Sequence, residues 1–216
     1  MTMSLTRRSV LTLGGAVIVS GGALQAVQAS ADLSLLTASQ VQVLSKINAA
    51  FDAIRTMSGR FQQEAPDGNI TGGSFLMSRP GKMQFKYDLP VEMEIRCDGR
   101  TVAIDDKLRK TQTFAFLSDT PLAYLLADRV DLIAANVVKA VHMSPTLVTV
   151  AMQQDGMFTQ GKIKLVFDAK TIELKQWIAT DAQGYDTIVS LSDTRVGVAV
   201  DDAAFVIDSH KYDQHR

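Results

Sequence analysis

The chain reads as a mainly β protein of the α+β class: an antiparallel sheet with one helix before it and one short helical insert within it. Three patterns carry this reading. Short runs of alternating apolar and polar residues are separated by turn sequences at Pro66-Asp-Gly68, Pro80-Gly81, Asp98-Gly99 and Asp105-Asp106, the mark of strands joined as hairpins. One early stretch repeats apolar residues at helical spacing instead. From Thr120 to Asn136 the alternation gives way to a Leu- and Ala-rich run.

Residues 1–31 read as a leader. Arg7 and Arg8 precede an apolar, Gly-rich run from Val10 to Ala26, and small-residue cleavage candidates follow at Val27-Gln-Ala29 and Ala29-Ser-Ala31, the layout of a secretory signal peptide. Thr6-Arg7-Arg8-Ser9-Val10-Leu11 also resembles a twin-arginine signal, with Val10 and Thr12 in place of its preferred Phe and Lys, so both export routes stay open. The expected destination is a bacterial periplasm, with residues 32–216 forming one domain. Cys97 is the one cysteine in the chain; it can form no internal disulfide, and no cysteine follows the cleavage region to carry a lipid anchor. Removing Arg7 and Arg8 lowers Lys plus Arg from 22 to 20 against 23 Asp plus Glu, a net charge of −3. That balance argues against a nucleic-acid partner.

The first element is a helix. Thr37-Ala-Ser-Gln40 has capping-box spacing, and Val41, Leu44, Ile47, Phe51 and Ile54 follow at helical intervals until Ser58-Gly59 ends the run. In the hairpin centred on Pro80-Gly81, period-two alternation puts Phe75, Met77 and Arg79 on one face and Met83, Phe85 and Tyr87 on one face of the partner strand. Arg79 therefore ends a strand in solvent or points at an apolar surface. In the second case its five donors require a nearby segment with free carbonyls. Val91, Met93, Ile95 and Cys97 alternate with charges, which makes Cys97 a small buried hydrophobe and sends Lys82, Gln84, Glu92 and Glu94 to the watery face. In the insert, Pro121 suits a first helical position, while Leu122, Leu125, Leu126 and Ile133 make an apolar stripe. Strands resume near Val137, Leu147, Lys162, Ile172 and Tyr185.

A sheet this long with one apolar face must cover that face, and two helical segments are too few to do so if it is flat. The expected solution is a strongly curved sheet whose concave face is partly plugged by the helix and the insert. The space left is apolar, with Met57, Met77, Met83, Met93, Met143, Met152 and Met157 as candidate soft lining or ordinary core.

The Arg79-Pro80 turn with its two strands, Asp98-Gly-Arg-Thr101, Thr120-Pro-Leu-Ala-Tyr-Leu-Leu126, Thr180-Asp-Ala-Gln-Gly184 and Asp201-Asp-Ala-Ala-Phe205 occur in this order across nearly the whole mature chain. Together they resemble the LolA family of periplasmic lipoprotein carriers. The resemblance implies an incomplete antiparallel barrel with a helical lid over a hydrophobic cavity. It implies that Arg79 latches the lid, that Phe75, Met77, Met83, Phe85, Tyr87, Met93 and Ile95 face acyl chains, and that Leu122, Leu125, Leu126 and Ile133 belong to the lid. The implied partners are acylated lipoproteins, an inner-membrane ABC transporter that releases them, and an outer-membrane receptor or the outer membrane itself, served by a monomer.

Enzyme signals are weak beside this. Gly156-Met-Phe-Thr-Gln-Gly161-Lys162 matches the start of a P-loop, but Ile163 stands where Ser or Thr is needed and the following residues alternate as a strand. His142, His210 and His215 lack metal-ligand spacing, and no Gly-x-Ser-x-Gly elbow occurs. No catalytic residue, metal or cofactor is expected. A lipoprotein carrier leads, with a lipid-binding or envelope-stress sensor module on a similar half-barrel as the alternative, and a lipid hydrolase third.

Overall fold

The computed structural model describes residues 36–120, 122–134, 137–153, 162–181 and 183–212. The first element is helix α1, Ala38–Ala53. Thr37 caps it: the Thr37 hydroxyl accepts the Gln40 N–H and the Gln40 side chain accepts the Thr37 N–H, so two otherwise unpaired donors are satisfied. Val43, Leu44, Ile47 and Phe51 form its buried face. The helix stops five residues before Ser58, because Thr56–Glu64 is already the first strand, β1, and Met57 is buried in the sheet.

The remaining strands are β2 Ile70–Ser78, β3 Lys82–Tyr87, β4 Met93–Asp98, β5 Thr101–Asp106, β6 Thr111–Phe116, β7 Val138–Met143, β8 Leu147–Gln153, β9 Lys162–Asp168, β10 Leu174–Thr180 and β11 Asp186–Val196. They form a single antiparallel sheet in the order β6-β5-β4-β3-β2-β1-β11-β10-β9-β8-β7. Two meanders are thus joined where the first strand pairs with the last, and β6 and β7 are left as edges. The turn expected at Asp105-Asp106 lies inside β5 instead, since Asp105 is a buried, paired strand residue and the chain reverses at Lys107–Lys110. The strand expected near Ile172 begins at Leu174, because Ile172 sits in the turn with a φ of 60°.

The register fixes the two faces. Met57 opposes Met77, which opposes Met83, which opposes Cys97, which opposes Val102, so one apolar row crosses five strands. On the other half, Trp177 opposes Leu165 and Leu165 opposes Val150. The sheet curls these halves together. β3 and β10 are four strand spacings apart in sheet order, about 19 Å if the sheet were flat, yet the rings of Phe85 and Trp177 meet edge to face at 6.1 Å. Gly73 lies opposite Phe61, and any Cβ there would strike the Phe61 ring and the Lys86 carbonyl. The missing side chain seats that ring, which in turn packs edge to face on Phe85 at 4.7 Å and Tyr87 at 5.0 Å.

The convex side corrects one expectation. Lys82 is partly exposed and Glu92 exposed, but Gln84 and Glu94 are buried. The reason is the C-terminal segment: a 3-10 turn at Asp202–Phe205 lies across β3 and β4, buries Phe205 and accepts the Gln84 amide at the Ala204 carbonyl, 2.9 Å away. Met143 is exposed on the edge strand and Met152 is buried in β8, while Met157 falls outside the described residues.

Candidate functional site

The concave face is partly covered by α1 and by the segment between β6 and β7. That segment holds a short helix α2, Leu122–Leu126, followed by turns. Leu125, Leu126, Val130 and Leu132 are buried, and Leu122 and Ile133 pack half-buried against the same core. Two α1 side chains hold the turns: Asp52 Oδ1 accepts the Val130 N–H at 2.9 Å and Asn48 Oδ1 accepts the Leu132 N–H at 3.2 Å.

The tip of the β2–β3 hairpin holds the other side of the segment. The Gly81 N–H donates to the Leu126 carbonyl at 2.8 Å. Gly81 has a φ of 77° and its Cα side packs on Gly99, where a Cβ would lie 2.6 Å from the Gly99 Cα; only glycine fits both demands. Arg79 completes the tie. Its side chain is 0% exposed. Its Nε donates to the Ala127 carbonyl at 2.9 Å and one terminal nitrogen reaches the Asp128 carbonyl at 3.3 Å. The other terminal nitrogen donates to the Phe51 carbonyl and, at 3.3 Å, to the Ile54 carbonyl. Asp52 Oδ1 lies 3.7 Å away. One guanidinium thus joins the insert to the last turn of α1, where the terminal carbonyls, including that of Phe51 which also accepts the Ile54 N–H, and the negative end of the helix dipole favour a cation. Burial lowers the Arg79 pKa and Asp52 opposes the shift; an arginine stays charged under these conditions.

Beneath the insert lies an apolar cavity of about 220 Å³, lined by Gln63, Met83, Phe85, Tyr87, Ile95, Thr120, Leu122, Ile163, Trp177, Ala179, Thr187 and Val189. Met83, Phe85, Leu122 and Trp177 also line a void of about 30 Å³, which extends under the insert to Phe75, Met77, Leu125 and Leu126. Through Phe51, Met57 and Leu174 that void adjoins a third space of about 110 Å³ at the C-terminal end of α1. No lining residue of the 220 Å³ space is charged. Its polar groups answer one another: the Tyr87 hydroxyl donates to Gln63 at 2.7 Å, and burial pushes the phenol up to about 12 despite that bond. Such a lining can dissolve an alkyl chain.

The residues singled out from sequence distribute unevenly. Phe75, Met77, Met83, Phe85, Tyr87 and Ile95 face these spaces together with Leu122, Leu125 and Leu126. Met93 is half-buried opposite Asp106 at the start of β4, and neither it nor Ile133 lines any of the three. Ile163, Trp177, Val189, Leu174 and Leu191 were not singled out, although the alternation of Ile163, Leu165 and Phe167 carries the same signal as the first hairpin. Cys97 is buried, and burial raises its thiol pKa. No cluster of His, Cys, Asp and Glu suited to a metal occurs among the described residues. The P-loop-like residues 156–161 and His215 lie outside them.

Comparison with known proteins gives a family match and distant relatives. The family described as Outer membrane lipoprotein carrier protein LolA matches residues 52–208. An outer-membrane lipoprotein carrier protein of Cupriavidus pinatubonensis (strain JMP 134 / LMG 1197) is 33% identical over 99 residues, 42% of this chain and 45% of the relative, so the match spans less than half of that relative's length. Among solved structures, a LolA superfamily protein from Nitrosomonas europaea is 12% identical, with a TM-score of 0.42 over 76% of this chain and 97% of that one. A chain of the MucA/MucB complex of Pseudomonas aeruginosa is 14% identical, with a TM-score of 0.44 over 77% and 60%. The family match runs from the end of α1 to Asp208, well over half of the sequence, and the chain belongs to the LolA family of outer membrane lipoprotein carrier proteins.

Proposed function

We propose that the protein binds the acyl chains of lipoproteins in the cavity beneath the insert and carries them across the periplasm, from an inner-membrane release transporter to an outer-membrane receptor or the outer membrane itself. In this reading residues 1–31 direct export, residues 32–216 form one carrier domain, and the protein acts by binding without catalysis. No helix among the described residues is long and apolar enough to cross a membrane. The observation that carries the reading is Arg79: a buried cation is expensive, and here it ties the insert, which lies over an uncharged apolar space, to the C-terminal end of α1.

The energetics explain why such a joint is useful. Each methylene removed from water contributes roughly 0.8 kcal/mol, so a chain of about fifteen contributes roughly 12 kcal/mol. Release into water is then prohibitively slow, and transfer has to run between apolar environments of similar quality. A cover that is stable when shut over an empty cavity competes with cargo. It makes loading depend on a driven donor and lets unloading run downhill.

Replacing Arg79 with Leu removes the charge-assisted bonds that favour the shut state, each worth roughly 1.5–3 kcal/mol. The expected result is a folded protein that binds a fluorescent fatty acid roughly tenfold or more tightly and releases acylated cargo to outer-membrane vesicles correspondingly more slowly. Arg79→Lys, with a charge but fewer donors, should fall between. Release from Arg79→Leu at the parent's rate would exclude a latching role.

A further inference from the structure

Among the described residues no further strand pairs with β6 or β7, and these two edges of the sheet are built differently. β7 carries Lys139 and joins β8 through an irregularity between Val138 and Ala140. A lysine and a bulge are common means of keeping an edge from pairing. β6 has neither. It runs in unbroken register with β5 from Thr111 opposite Asp106 to Phe116 opposite Thr101, and no side chain from Thr111 to Ser118 is charged. Phe114 and Phe116 stand 47% and 64% exposed on it. An unbulged, uncharged, aromatic edge invites strand addition.

This edge is continuous with the cavity. Phe85 opposes Ile95, Ile95 opposes Ile104, and Ile104 opposes Thr113 of β6. The first two line the cavity, Ile104 is 36% exposed and Thr113 is exposed, so the concave surface runs uncovered from cavity to edge. At its C-terminal end β6 leads through Leu117–Asp119 to Thr120 and Leu122, which line the same cavity.

We propose that β6 receives, as an added strand, the extended polypeptide segment that adjoins the acyl chains of the cargo. The inference rests on the carrier reading above. An acyl chain in the cavity is covalently tied to a polypeptide that must leave it, and three strand spacings, about 14 Å, separate the β4 lining from a strand added outside β6. Four or five extended residues span that gap. Strand addition draws its affinity from main-chain hydrogen bonds, which suits a carrier whose cargoes differ in sequence.

The test compares palmitate with two palmitoylated decapeptides, one of alternating Val and Thr and one with Pro at every second position, which removes half of the donors. On the wild-type protein the Val/Thr lipopeptide should bind at least tenfold more tightly than palmitate and slow amide exchange at residues 111–116, and the Pro lipopeptide should do neither. Phe114→Lys, outside the cavity lining, should abolish the increment while palmitate binds as before. Equal affinity of all three ligands would overturn the added strand and leave the carrier reading standing; failure of palmitate to bind would overturn both. Protection of residues 111–116 that needs no ligand and rises with protein concentration would assign the edge to a second copy of the chain and overturn the proposal.

Discussion

On the convex side of β3–β5, Glu94 and Asp105 are held out of water by a ring of donors. Glu94 accepts from the Gln84 amide at 2.8 Å and Arg96 at 2.8 Å, with Lys107 at 3.4 Å. Asp105 accepts from Gln112 at 2.6 Å and Lys211 at 2.8 Å, with Arg96 at 3.5 Å between the two carboxylates. Gln84→Glu would replace a donor with a third carboxylate facing Glu94 and the Ala204 carbonyl. It should destabilise the fold by about 2 kcal/mol or more, read as a lower urea midpoint; an unchanged midpoint would mean that the C-terminal segment does not cover this site in solution. Lys211 gives the same cluster a pH signature. Burial pulls its pKa down, but the hydrogen bond and charge of Asp105 prevail, and the net shift is upward from 10.5. A raised folded-state pKa stabilises below the unfolded value and loses that contribution as pH rises through the folded one. The stability gap between the parent and Lys211→Met should thus stay constant below about pH 10 and shrink above pH 10.5; a gap that grows with pH would contradict the pairing. Alternation in the sequence assigns Gln84 and Glu94 to the convex face correctly. It cannot reveal their burial, because the cover comes from residues some hundred positions downstream with no periodicity of their own. For Arg79 alternation left two places open, a strand end in solvent or an apolar surface, and only the family resemblance pointed to the insert as a source of carbonyls. The share of those carbonyls that α1 supplies was hidden by reading the helix through to Ser58.

At the scale of elements, α1 and the insert behave as one cover because α1 side chains do the joining. Asp52 holds the Val130 N–H and lies beside Arg79, while Asn48 holds the Leu132 N–H and donates to Asp131 at 3.3 Å. The exposed pair Arg55–Asp128, at 2.8 Å, adds little by comparison. Asp52→Ala removes a backbone acceptor and a counter-charge together. Amides of residues 122–132 should then exchange about tenfold faster or more, as expected for 1–2 kcal/mol of local stability, with β3 and β4 unaffected. A uniform acceleration over the whole sheet would show that the cover does not open independently. The helix start was readable from Thr37 and Gln40 because a capping box is local chemistry. Its end was not, since Ile54 and Met57 continue the apolar spacing into a strand. The hairpins of β2–β5 were readable for the same local reason. The pairing of β1 with β11 was not: two strands from opposite ends of the domain meet only when the whole sheet assembles, and no short window of sequence encodes that meeting.

The molecule as a whole is defined by curvature, and the curvature is reported by its single tryptophan. Trp177 comes from the C-terminal meander, yet it shares both the 220 Å³ cavity and the void under the insert with Met83 and Phe85 of the N-terminal meander. It is buried, and Phe85 stands edge-on to it. An alkyl chain entering this space runs against the Trp177 and Phe85 rings, which line both voids. Emission from Trp177 should therefore change on adding palmitate, and a brominated palmitate should quench it with the same concentration dependence that calorimetry gives for binding. Phe85→Glu places a carboxylate against Trp177, Phe61 and Phe75, where an unpaired charge costs several kcal/mol; it should abolish quenching or prevent folding. Phe85→Leu keeps the site apolar and should retain quenching, which separates loss of the cavity from loss of the fold. If brominated palmitate binds by calorimetry and leaves Trp177 unquenched, the acyl site is not the space between the two meanders.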